Sequence, residues 1–169
     1  MNFLNLFLSP NLQAFLLFLV LFIIDLLFIK KDKLIVTFLS LYASFGIMAI
    51  MPLFADNIGP WLSSGEYRYL LVFVLLCIVI FILFSFSNLK EFSKHACPTK
   101  FSISLVYRLV INGMFFTAMF YFLPADVKGN FSGVINIFFT NLIALLAWFS
   151  IPILLFFEFK LHTRRGWIE

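Results

Sequence analysis

Residues 10–34 read PNLQAFLLFLVLFIIDLLFIKKDKL. From Leu12 to Ile29 the stretch is apolar apart from Gln13 and Asp25. A hydrocarbon core takes about 20 helical residues, so this run has the length of a membrane-crossing helix. Ser9 followed by Pro10 supplies its start, an N-cap with proline at the first helical position. Lys30-Lys31-Asp32-Lys33 then makes a short basic turn, and a second apolar run opens at Leu34. Apolar helix, charged turn, apolar helix is the reading that decides the fold.

The pattern continues along the chain. Five runs are long enough to cross a bilayer, at about 12–29, 34–54, 69–86, 103–123 and 131–157. Pro52 marks the end of the second and Pro124 follows the fourth. The fifth is long enough to tilt, with Pro152 the expected site of a kink. Outer-membrane strands would show short alternating segments, whereas these runs are continuous. Residues 3–8, FLNLFL, have the character of a short interfacial segment. The first eleven residues hold no basic region, and no small-residue cleavage site follows. The first span is therefore expected to stay in the mature protein.

Composition agrees. Of 169 residues, 63% are hydrophobic and 12% charged, with mean hydropathy +1.08. Soluble domains hold roughly twice that share of charge and could not hide so much apolar surface. The 26 phenylalanines suit lipid and read first as apolar filler, second as a functional aromatic cluster.

Charge placement sets orientation. Lys30, Lys31, Lys33, Lys90, Lys94, Lys100, Lys160, Arg164 and Arg165 fall in alternate connections or at the C-terminus, and Arg108 lies nearest the same face. The other face holds only Arg68 and Lys128, beside Asp56, Glu66 and Asp126. The positive-inside rule then places the N-terminus outside and the C-terminus in the cytoplasm. The expected fold is an all-α polytopic membrane bundle of about five helices, forming one domain over 1–169, multi-pass in the inner or plasma membrane. Trp61, Tyr67, Tyr69, Tyr121 and Trp167 fall near the expected interfaces. The basic face suits anionic lipid rather than nucleic acid.

Two charges break the apolar runs. Asp25 lies about four residues from the basic turn and Arg108 about five residues inside span four. At 1.5 Å per residue both sit roughly 6–8 Å below one face. They either pair across spans one and four or snorkel separately to the headgroups. A third reading gives Asp25 an ion- or proton-carrying role. Asn112 is four residues beyond Arg108 and shares its face. Gly113 and Thr117 follow. On span five, Asn136, Thr140, Ala144 and Ala147 are spaced as one helical stripe, with Asn141 beside it. Span two carries Ser40, Ala43, Ser44 and Gly46. Such residues read first as helix–helix contacts, letting helices pack closely, and second as a polar solute path, which would use the same residues.

Catalytic and cofactor chemistry is not signalled. His95-x-Cys97 offers two ligands where structural zinc needs four, and His162 adds little. Cys77 lies in an apolar run and Cys97 in a Lys-bearing loop, so no disulfide is expected between them. No phosphate-binding, metalloprotease or serine-hydrolase motif occurs. No metal, cofactor or enzyme activity is therefore expected.

The order of features resembles the colicin V production protein (CvpA-like) family of small bacterial inner-membrane proteins. The residues carrying the likeness are Asp25-Leu26-Leu27-Phe28-Ile29-Lys30-Lys31-Asp32-Lys33-Leu34 and Leu105-Val106-Tyr107-Arg108-Leu109, within roughly 12–124. Where that family often has Arg-Gly in the turn, this chain has Lys-Lys-Asp-Lys. Where it often has glycine directly after the later arginine, this chain has Gly113, five residues on. The fifth span is an addition to the usual four. The resemblance implies a role in toxin export or envelope homeostasis and carries over no catalytic residue.

Two function classes stay open. One is a non-enzymatic membrane component assisting export or envelope maintenance, within a homo-oligomer or larger membrane complex. The other is a small transporter or channel subunit using Asp25, Arg108, Asn112, Asn136 and Thr140 around one cavity. A wet cavity lined by Asn112, Asn136 and Thr140 would favour the second. A dry, Phe-packed bundle would favour the first.

Overall fold

The computed structural model describes residues 9–51, 67–87, 101–131 and 133–165, with the backbone alone at 32 and 156–165. Helix α1 runs Pro10–Phe28, α2 Leu34–Ile50, α3 Arg68–Phe86, α4 Phe101–Phe122, α5 Ala125–Gly129 and α6 Leu142–Arg165. A 3₁₀ turn, Lys31–Lys33, precedes α2, and a π-helical turn, Asn136–Thr140, precedes α6. No strand occurs among the described residues. Residues 3–8, Pro52, Trp61, His95, Cys97, Trp167 and the His162 side chain lie outside the described set.

Helix α1 starts where the Ser9-Pro10 signal puts it, with the Ser9 carbonyl accepting from Leu12 and Gln13. Proline costs nothing there because the first-turn N–H groups have no partner within the helix. Three helices, α1, α3 and α4, have the length and apolarity to cross a membrane. Leu34–Ile50 and Leu142–Leu155 are shorter apolar helices.

Helix α4 is the hub. It packs on α1, α2, α3 and α6. Of the three long helices it is the least apolar and the most buried. Ile111, Met114 and Ala118 face a core shared with Leu41 and Met48 of α2 and Phe73 and Cys77 of α3. Phe116 and Phe120 face a second core with Ala14, Phe18, Phe131, Ile135 and Phe139. Phe116 meets Phe18 and Phe139 edge to face, with centroids 5.5 and 5.0 Å away. Such pairs add about 0.5–1.5 kcal/mol each beyond burial.

Contacts between helix ends fix the antiparallel order. Lys31 lies over the Phe101 ring at the start of α4, and Lys33 over Phe81 near the end of α3. At the opposite end, Phe45 of α2 and Phe73 of α3 both pack on Phe122.

Polarity runs inside out. Leu27, Phe28, Leu71, Leu75, Leu83 and Leu154 are exposed, while Asp25, Ser40, Ser44, Arg108, Asn112 and Thr117 are buried. Water would select the reverse. Lipid permits it, because apolar side chains lose nothing there and polar groups must find partners inside.

Span five departs from the expected continuous helix over 131–157. The chain enters through the π-helical turn, leaves helical geometry at Asn141 (φ −80°, ψ 146°) and restarts at Leu142. The Asn141 Oδ1 accepts from the Ile143 N–H at 3.4 Å, and its carbonyl takes the first bond of α6 from Leu145. Asn141 is thus the N-cap of α6, a role its side chain suits better than a helix interior. Further on, Pro152 leaves the Trp148 carbonyl without its helical donor. The Tyr42 hydroxyl of α2 donates to the adjacent Phe149 carbonyl.

Candidate functional site

Asp25 is one of two buried residues on α1, the other being Ala14 three turns earlier. That spacing aims both at α4. Arg108 is buried on α4 with Ser104 one turn before it and Asn112 one turn after. The structure brings Asp25, Arg108 and Asn112 together. Arg108 Nη1 lies 3.4 Å from Asp25 Oδ2. Asn112 Nδ2 donates to the same carboxylate oxygen at 3.1 Å and to the Arg108 carbonyl at 2.9 Å. Both side chains are more than nine-tenths buried, a burial that separate snorkelling would not give.

The guanidinium does more than pair. Nη1 also donates to the Asp25 carbonyl and Nη2 to the Ile29 carbonyl. Ile29 is the C-cap of α1, and its own N–H returns to Asp25 O. The last carbonyls of a helix have no donor within it and carry partial negative charge. Arg108 supplies a donor to the Ile29 carbonyl, a second one to the Asp25 carbonyl, and the opposite charge. It therefore fastens the end of α1 to α4 two turns from its start. An acid in the last turn of a helix faces the wrong end of the dipole, and the same guanidinium offsets that.

One carboxylate oxygen is left over. Asp25 Oδ1 is buried and has no hydrogen-bond partner. Asp25 and Asn112 line a cavity of about 270 Å³. Leu21, Ile24, Val74, Ile78 and Phe115 supply much of its wall, with Thr37, Ser40 and Cys77 at the α2 and α3 sides. The two hydroxyls there spend their protons on their own helix. Thr37 donates to Lys33 O at 3.0 Å and Ser40 to Thr37 O at 2.7 Å.

The remaining site residues lie elsewhere. Thr117 is buried on α4 and donates to the Gly113 carbonyl at 2.8 Å. The Asn136–Thr140–Asn141 stripe does not face the bundle. Asn136 and Asn141 are exposed, Thr140 donates to the Asn136 carbonyl, and of the two stripe alanines Ala144 is buried while Ala147 is exposed. The 4-4-3 spacing assumed 3.6 residues per turn throughout, and the π-helical turn and the break at Asn141 remove that register. No group of three or more His, Cys, Asp or Glu able to hold a metal occurs among the described residues.

Two features carry no plain signal in the sequence. The Ile29 carbonyl as an arginine acceptor is a backbone group, silent in residue identity. Trp148 packs against Gly113 so closely that a Cβ there would meet Cη2 of the indole at 2.6 Å. A glycine in the middle of an apolar helix was the available hint. Comparison of the chain with family models, curated proteins and solved structures gives no match.

Proposed function

We propose that the chain is a non-enzymatic, multi-pass inner-membrane protein that works as a subunit of a larger assembly, in export or envelope maintenance. The resemblance to the colicin V production protein family points the same way. The observation that carries the assembly reading is the outward face at the start of span five. Asn136 and Asn141 are exposed there, and the helix is interrupted at Asn141. Irregular backbone and amide side chains at membrane depth are tolerated where protein covers them, not where lipid does. A second copy of this chain or another membrane protein would supply that cover.

The transporter reading needs Asn112, Asn136 and Thr140 around one cavity. Only Asn112 lines the cavity described above. The aromatic packing of both cores favours the assembly role.

A photo-crosslinking side chain at Ile137 or Asn141, activated in native membranes, tests the role. A discrete protein adduct is expected at both positions. Adducts to phospholipid alone at both would sink it.

The five-span topology, N-terminus outside and C-terminus in the cytoplasm, belongs to the same proposal. It rests on the ten-to-two division of basic residues between the faces. In a Cys77→Ser, Cys97→Ser background, Lys128→Cys should react with a membrane-impermeant maleimide in intact cells. Lys31→Cys should react only after permeabilisation. The opposite pattern would invert the orientation.

A further inference from the structure

The cavity beside Asp25 has a chemistry the assembly role does not use. Its walls come from four helices. Helix α1 packs on α4, and α3 packs on α2 and α4, so the cavity occupies the angle between α1 and α3. Ile24 of α1 and Ile78 of α3 line it and are also exposed on the outer surface. The space therefore opens sideways, toward whatever surrounds the bundle.

Its polar capacity is narrow. The Thr37 proton is committed to the Lys33 carbonyl and the Ser40 proton to the Thr37 carbonyl, and the Asn112 amide donates to the Asp25 carboxylate and the Arg108 carbonyl. Among the described buried side-chain oxygens and nitrogens that line it, only Asp25 Oδ1 has no hydrogen-bond partner at all. A buried acceptor left unmatched is costly, more so when it carries charge. Water is a poor occupant of the whole space. About 270 Å³ would take roughly nine molecules at about 30 Å³ each, and each needs two to four polar partners that these walls lack. A cation is also disfavoured. Arg108 already balances Asp25, so a third charge would enter a low-dielectric site unpaired. The fitting occupant is neutral, donates one hydrogen bond and is otherwise apolar. The volume exceeds the ~150 Å³ of a cavity that takes benzene and falls just under the usual range for small-molecule sites, about 300–1,000 Å³. That suits the hydroxyl end of a single alkyl chain.

We propose that the cavity lined by Asp25, Asn112 and Ile78 binds a neutral membrane-borne alcohol, entering between α1 and α3 with its hydroxyl donating to Asp25 Oδ1. The inference rests on the membrane placement alone and is independent of the assembly role.

The probe is a diazirine-bearing octanol, photolysed with the full chain in lipid nanodiscs. Label is expected to concentrate in the peptides holding Ile24 and Ile78. At equal mole fraction in the bilayer, 1-octanol should displace it about tenfold better than n-octane, the worth of one hydrogen bond to a charged acceptor. Ile78→Trp, at the exposed mouth, should abolish the focused labelling. Cys77→Phe should do so from the inner wall, and the mouth variant answers alone if the inner one fails to fold. Even labelling of all lipid-facing helices would overturn the proposal. So would equal competition by octane, stronger competition by octylammonium, or focused labelling that survives Ile78→Trp.

Discussion

Arg108→Leu destabilises the bundle by about 3–5 kcal/mol, the usual cost of stranding one member of a buried ion pair. The loss has three parts here. The Asp25 carboxylate keeps only its bond from Asn112, the Asp25 carbonyl keeps only the Ile29 N–H, and the Ile29 carbonyl loses its arginine donor at the end of α1. Asp25→Asn strands the guanidinium instead, but leaves it both carbonyl bonds at the negative end of α1, so it costs less than Arg108→Leu. Arg108→Lys keeps the charge but not the forked donor and falls between them. Reversible unfolding in mixed micelles would rank the three. Equal losses for Arg108→Leu and Asp25→Asn would mean that the pair acts alone and the cap contributes nothing. The charge swap, Asp25→Arg with Arg108→Asp, gives no rescue. An aspartate at 108 cannot donate to a carbonyl, so failure of the swap does not argue against contact.

The second large effect is at Gly113. Gly113→Ala drives a methyl group into the Trp148 indole. The indole has little room to retreat, because its Nε1 donates to the Phe138 carbonyl at 2.8 Å and its face stacks on Phe139. Overpacking of this kind costs about 1–3 kcal/mol, and the upper end is expected. Gly113→Val costs more. Trp148→Leu added to Gly113→Ala should recover part of the loss, so that the pair is strongly non-additive. If Gly113→Ala is silent, or if Trp148→Leu only adds to its cost, α4 and α6 do not meet at this contact.

What could be read before the structure follows from how rare charge is in an apolar run. Asp25 and Arg108 stand out, their depths can be counted from the nearest basic turn, and matched depth puts them within reach. Asn112 follows because four residues is one helical turn. The four helices nearest the N-terminus were legible to within a few residues at every described end, because Pro10, the basic turn and Pro124 punctuate them. Span five was not. The apolar run predicts one unbroken helix, but Thr140 donates to the Asn136 carbonyl and Asn141 Oδ1 accepts from the Ile143 N–H, and that local competition resets the register. The arginine cap was hidden for a different reason: every residue has a carbonyl, so which one is left bare depends on where a helix stops. The cavity was hidden because empty space is a property of four helices together.

The tie between α1 and α4 has a consequence for biosynthesis. Arg108 leaves the ribosome 83 residues after Asp25. At about 5–20 residues per second, the delay is roughly 4–17 s. Through that interval the Asp25 carboxylate is without the arginine it meets in the folded chain. The end of α1 is therefore fastened only when α4 arrives, and a nascent chain stopped between the two keeps Asp25 without its arginine.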